Sequence, residues 1–108
     1  MRAAAAIGAL GALAHEHRLA VFRLLVQRGP EGLSAGEIAQ HVGLIPSSLT
    51  FHTQALQRAG LISQRRASRQ LFYAADFAAM TDLVGYLTEN CCGGATCAPS
   101  AQPQRTAA

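Results

Sequence analysis

The sequence predicts a mainly α (α+β) domain of about five helices, with one two-stranded hairpin inserted before the last helix. Three observations lead there. Apolar residues recur at helical spacing in five segments separated by glycine, proline or cap residues. Residues 61–74 switch to alternation around a short polar tip. The 108 residues, half of them hydrophobic, suffice for one core. The expected layout is one folded domain over residues 1–97 and a disordered tail over residues 98–108, which is rich in Pro, Gln, Ala and Ser and has no periodicity.

The first helix is expected over Arg2 to Ala14, with Ile7, Leu10, Leu13 and Ala14 on one face. The same stretch, Arg2 followed by small apolar residues up to Ala12-Leu13-Ala14, also has the outline of a secretory signal. Its Ala- and Gly-rich, weakly apolar character fits a packing helix equally well. No stretch approaches the roughly 18 apolar residues that span a membrane. The second helix should run from about His17 to Arg28 with Leu19, Phe22, Leu25 and Val26 inward, broken by Gly29-Pro30 and Gly32. Ser34-Ala-Gly-Glu37 has the form of a capping box and opens a short third helix anchored by Ile38 and Val42 and stopped by Gly43.

Pro46 suits the first position of a fourth helix, where a missing N–H costs nothing, and Gly60 suits its left-handed end. That helix, Pro46 to Ala59, carries Leu49, His52 and Leu56 on one side and Ser47, Ser48, Thr50, Phe51 and Gln54 nearer the other. Two short helices joined this tightly make a helix-turn-helix. Residues 61–66 and 69–74 then form two strands around an Ala67-Ser68 tip, a wing, so the expected fold is a winged helix-turn-helix. Asp76 caps a fifth helix with Phe77, Met80, Leu83, Val84, Tyr86 and Leu87 on its apolar stripe, ended by the segment from Asn90 to Gly94. The apolar faces of helices 1 and 5 exceed what so small a core covers, which points to a two-fold dimer through them.

In such a fold the second helix of the motif enters the major groove, so Ser47, Ser48, Thr50 and Gln54 are the candidate base-reading residues. The formal charge of +3 permits nucleic acid without demanding it, and all nine basic residues are Arg. Arg58, Arg65, Arg66 and Arg69 fall within twelve residues at the hairpin, which suits phosphate contacts and counterion release. A solvated, solubilising hairpin is the plainer alternative. His52 has two readings, an inward side chain bonded to backbone or a phosphate contact. His15, Glu16 and His17 either cap the second helix or ligate a metal.

Cys91, Cys92 and Cys97 are the only cysteines. An odd count clustered at one end cannot staple a core, which points to a reducing compartment, the cytoplasm, and to ligation or redox use. Three thiolates around Gly93-Gly94 suit a soft ion that accepts three ligands. Oxidation of the vicinal pair and plain exposed thiols are the other readings. No Cys-x-x-Cys beside a βαβ unit, phosphate loop or convincing base for a nucleophile is present, so neither an enzyme nor an organic cofactor is expected.

Several of these motifs together resemble the ArsR/SmtB family of metalloregulatory repressors, in particular its arsenite-responsive branch. They are His17-Arg18-Leu19 opening the second helix, Leu44-Ile-Pro-Ser-Ser-Leu-Thr-Phe-His52, Ala59-Gly-Leu-Ile62, the wing ending Leu71-Phe-Tyr73, and Leu87-Thr-Glu-Asn-Cys-Cys-Gly93. The resemblance implies a homodimer that binds double-stranded operator DNA in the apo state and leaves it when an inducer binds. Relatives with a Cys-x-Cys in the third helix are not matched, since residues 33–37 have no thiol; zinc sensors with Asp and His pairs on the last helix are not matched either. The remaining match is to variants with a Cys-Cys pair and a third Cys after helix 5, which implies As(III), with Sb(III) as a second inducer, at Cys91, Cys92 and Cys97. Trivalent arsenic takes three thiolates in a pyramid, whereas zinc wants four ligands. A redox-sensing or Zn/Cd-sensing repressor of the same architecture is the runner-up. One departure is Thr53, where relatives usually have Leu.

Overall fold

The computed structural model describes residues 1–94; Cys97 and the tail over residues 98–108 lie outside the described residues. Five α-helices and a three-stranded antiparallel sheet share one apolar cluster. The first helix, α1 (Ala3–Leu13), has nearly the expected bounds but buries a different face. Ala6, Ala9 and Ala12 point inward, while Ile7 is 70% and Leu10 is 43% exposed. Alanines three apart form a flat stripe that packs against the domain, and this turns the larger residues outward. The helix packs against α2 (Glu16–Arg28), whose buried residues are Val21, Phe22 and Leu25. Leu19, expected inward, lies outside the buried stripe and is exposed, because α2 is rotated to point Val21 at the core.

The wing has a third strand that the sequence reading lacked. β1 (Leu33–Ser34) pairs Leu33 with Tyr73 and Ser34 with Phe72, giving the order β1-β3-β2. Two residues are too short to show an alternating pattern. Gly32 makes the approach possible: its φ is +73°, and a Cβ there would run into the Tyr73 carbonyl oxygen.

Ser34 also caps α3 (Ala35–Val42). Its backbone N–H donates to Glu37 Oε1 at 2.9 Å and its Oγ accepts from the Glu37 N–H at 3.2 Å, the reciprocal box expected. Those donors, the backbone N–H first and the hydroxyl second, hold the Glu37 carboxyl below its ordinary value. Gly43, left-handed at φ 72°, ends α3, and a three-residue turn leads into α4 (Pro46–Arg58). Leu49 and Leu56 are buried, and Thr53 is fully buried with its hydroxyl donating to the Thr50 carbonyl at 3.1 Å. The departure at Thr53 is therefore accommodated by a satisfied hydroxyl.

Gly60 turns the chain into β2 (Ile62–Ala67), paired with β3 (Gln70–Ala75) from Ile62↔Ala75 to Ala67↔Gln70. The tip is Ser68-Arg69, one residue later than expected, with Ser68 at φ 59°. The Asp76 carboxylate then caps α5 (Phe77–Leu87) by accepting the Ala79 N–H at 3.0 Å, and the Asp76 N–H donates to the Leu61 carbonyl at 2.8 Å. Only Leu83 of α5 is buried; Val84 and Leu87 are exposed. No helix among the described residues is long and apolar enough to cross a membrane.

Gly32→Ala should destabilise the domain by more than about 1 kcal/mol, since the left-handed backbone and the Tyr73 carbonyl both oppose a side chain. Gly36→Ala, in open space on α3, should stabilise by a few tenths to about 1 kcal/mol. Urea unfolding midpoints of the two variants would show the opposite signs.

Candidate DNA-binding surface and thiol segment

The tight turn between α3 and α4 leaves one side of α4 outside the core. Ser47, Thr50, Phe51, Gln54 and Arg58 are exposed, and Ser48 is half-buried. The Thr50 hydroxyl donates back to the Pro46 carbonyl at 3.0 Å, so its lone pairs face out as acceptors while its proton is committed. Phe51, 59% exposed, and Ile45, 65% exposed, are large apolar residues on this side of the motif. At the wing, Arg65, Arg66 and Arg69 are all exposed. Arg65 is partly committed: its Nη2 donates to the Glu31 carbonyl at 3.0 Å and its guanidinium lies 4.6 Å from the Phe72 ring centroid. Among the described residues, no hydrogen bond or ion pair engages Arg58, Arg66 or Arg69, so their charge faces solvent.

His52, one of the candidate DNA contacts, is buried. It is 7% exposed, and its Nδ1 accepts the Nε–H of Arg18 at 3.2 Å. The helical spacing that puts it in line with Leu49 and Leu56 takes it into the interior. Its ring stands 4.7 Å from that of His15, 5.6 Å from His17 and 5.5 Å from Phe51, centroid to centroid. Burial first, then electrostatic repulsion from His15, Arg18 and His17, lowers its pKa below the ordinary 6.5, so the imidazole is neutral near pH 7. His15 caps α2, its Nδ1 accepting the His17 N–H at 3.1 Å. Among the described residues, no group of three or more His, Cys, Asp or Glu is arranged to hold a metal ion.

Sequence reasoning placed Phe51 on the outer side of α4 and Arg18 at the start of α2 but did not bring the two together. The Arg18 guanidinium stands 5.4 Å from the Phe51 ring centroid, so two residues 33 positions apart in sequence share the rim of α4. An exposed phenylalanine on a polar helix face was the available signal.

Cys91 and Cys92 follow α5 in a short 3-10 turn, Cys91–Gly94, and both are exposed. The Cys91 N–H donates to the Thr88 carbonyl at 3.0 Å, continuing the end of the helix. Cys92 and Gly93 are left-handed, at φ 59° and 67°, so the chain reverses at the thiol pair. Cys97 lies outside the described residues.

A helix-turn-helix with a polar outer side beside an arginine-tipped hairpin defines a DNA-binding regulator of the winged helix-turn-helix class. Residues 13–65 match the family described as a helix-turn-helix domain. The nodulation protein NolR of Rhizobium meliloti is 32% identical over 84 residues, which are 78% of this chain and 66% of that protein. The solved structure of HlyU from Vibrio cholerae, known also in its reduced form, is 32% identical with a TM-score of 0.63 and covers 78% of this chain and 91% of its own. The homodimeric winged helix-turn-helix domain of a possible ArsR-family regulator from Mycobacterium bovis shares the fold at 22% identity and a TM-score of 0.64, covering 96% of this chain and 88% of its own. The chain belongs to this family of winged helix-turn-helix transcriptional regulators. It spans between 57% and 66% of the length of the curated relatives it matches.

The buried neutral His52 makes stability depend on pH. The unfolded chain takes up a proton at the ordinary histidine value and the folded protein only below it, so this contribution is complete above about 6.5 and is lost as pH falls through the folded value. Urea midpoints should therefore decline from about pH 7.5 to about pH 5, and His52→Asn, which does not titrate there, should flatten the decline.

Proposed function

We propose that this chain is an arsenite-responsive transcriptional repressor that binds operator DNA as a homodimer in the apo state and leaves it when As(III), or Sb(III), binds the thiolates of Cys91, Cys92 and Cys97. The observation that supports this most is the adjacent, exposed thiol pair in a left-handed glycine turn directly after α5. Arsenous acid exchanges three hydroxyls for three thiolate sulfurs, each S–H proton leaving with a hydroxyl as water. Two cysteines that already project into solvent offer the first two bonds without unfolding the domain. Cys97, five residues on, supplies the third; a chain of that length reaches back easily at about 3.3 to 3.6 Å per residue at full extension.

The dimer forms through α1 and α5, whose exposed Ile7, Leu10, Val84 and Leu87 are the apolar residues left over by the core. The DNA contacts are Ser47, Ser48, Thr50 and Gln54 at the bases and Arg58, Arg66 and Arg69, with the remaining donors of Arg65, at phosphates. The reading places the protein in the reducing cytoplasm as a regulator of arsenical resistance. A redox switch is the second reading, favoured by the vicinal pair and by a related HlyU having been solved in a reduced form.

The test is fluorescence anisotropy of the reduced protein on its promoter fragment. Arsenite should release the wild type, whereas Cys91→Ser, Cys92→Ser and Cys97→Ser should bind DNA normally and resist release. Release by peroxide or zinc instead of arsenite would overturn the inducer assignment, and absence of salt-sensitive DNA binding would overturn the regulator reading. Ile7→Glu combined with Leu87→Glu should give a monomer by light scattering and weaken operator binding by at least about tenfold, as expected when two half-site contacts are uncoupled.

A further inference from the structure

The rim where α2 meets α4 carries a cation, Arg18, that makes no ion pair among the described residues. Arg18 lies in the first turn of α2, the positive end of the helix dipole, beside His15 and His17. The nearest acidic residue in sequence, Glu16, makes no ion pair with it; among the described residues the one ion pair joins Arg28 to Glu31. A guanidinium has five N–H donors in a planar fork. One of them, Nε–H, goes to His52 Nδ1, and no protein acceptor takes the terminal amino groups among the described residues. The guanidinium carbon also lies over the exposed Phe51 ring on the outer side of α4, 5.4 Å from its centroid. An arginine tied by Nε and flanked by a ring is restricted in direction while its terminal amino groups stay available, and such a guanidinium edge grips a phosphate with two parallel bonds.

We infer that Arg18 binds a backbone phosphate of the operator at the edge of the recognition helix, and that His52 is the positioning residue that aims it. This rests on α4 being the DNA-reading helix. His52 can hold Arg18 only while its Nδ1 is unprotonated, because an imidazolium has no acceptor. The groups facing it are His15, His17 and Arg18 on the α2 side; α1, which also packs on α4, carries no ionisable side chain, and those of the other elements packed on α4, Glu37 and His41 of α3 and Arg65 and Arg66 of β2, are not among the groups that shift it. Acidification therefore turns the acceptor into a cation beside a cation and releases the guanidinium. The direction is distinctive, since added positive charge alone would strengthen DNA binding.

The experiment measures operator affinity by anisotropy as a function of salt at about pH 7.5 and at a lower pH at which NMR of the His52 ring protons shows the imidazole to be protonated. Arg18→Ala should lower the salt slope by about 2 for a dimer, one phosphate per protomer, with loss of affinity on any sequence. Arg18→Gln, which keeps the stem and an amide donor for His52, should do the same if the charge is the agent. The penalty of Arg18→Ala should be large at the higher pH and shrink at the lower. In a His52→Asn background, where the amide oxygen takes the place of Nδ1, the penalty should persist at both. Wild-type affinity and slope in both Arg18 variants would overturn the inference, as would a penalty independent of pH in the wild-type background. Failure of the wild type to bind DNA would strike the regulator reading instead.

Discussion

The DNA-facing surface depends on how α4 is held against α2. A 13-residue helix is marginal in isolation, so α4 takes both its helicity and its orientation from the apolar cluster that contains Leu49 and Leu56 together with Val21, Phe22 and Leu25. Burying each leucine contributes about 1.5–3 kcal/mol. Two polar side chains interrupt that face, and each finds a partner: Thr53 bonds within its own helix, and His52 bonds across to Arg18. An unsatisfied group at either place would cost about 1–3 kcal/mol. The bond from His52 differs from the rest of the contact because it fixes a charged side chain at the rim. A packing residue of the same size would hold α4 equally well and leave the guanidinium unoriented.

The end of α4 and the start of α5 are joined through Leu61. Its side chain is buried, its N–H donates to the Leu56 carbonyl at 3.0 Å, and its carbonyl accepts the Asp76 N–H. Leu61 thus links the start of α5 to the last turn of α4, while α1 touches α2, α4 and α5 and adds a second connection. Packed helices move as rigid bodies between discrete arrangements, so under the proposed function a change at the thiol end of α5 would not need to be large to reach α4. If arsenite and DNA are coupled in this way, each weakens the other by the same factor, on the order of 1–3 kcal/mol in typical couplings.

Much of the fold was legible in the sequence because its boundaries are written in cap residues. Ser34 with Glu37, Gly43, Pro46, Gly60 and Asp76 each act where their chemistry says they should. What escaped was set by tertiary packing. β1 is two residues long and exists only because Gly32 lets the chain approach Tyr73. Leu19 reads as core on periodicity but lies outside the buried stripe, and α1 buries its alanines instead of the face that carries Ile7, since periodicity finds a helix and not which of two neighbouring stripes faces inward. The polar side of α4 and the wing arginines were legible; the burial of His52 was one of two readings left open, and its pairing with Arg18 across 34 positions has no local signature.

The inside-out character of α1 bears on where a ligand can act. Its buried residues are alanines, which remove little apolar surface from water, while Ile7 and Leu10 remain outside. α5 is similar, with one buried residue and Val84 and Leu87 exposed. Both helices therefore draw less from the core of their own protomer than α2 and α4 do. In a dimer through these faces, the larger side chains enter a second core, and the two terminal helices depend on the partner for much of their stability. Local stability varies within a structure, and elements that move are drawn from its weaker end. Cys91 and Cys92 extend from such an element. Under the proposed function, a ligand that closes a ring of bonds there would reshape the part of the fold that costs least to reshape, and in a dimer through these faces that change would fall on the geometry that spaces the two recognition helices.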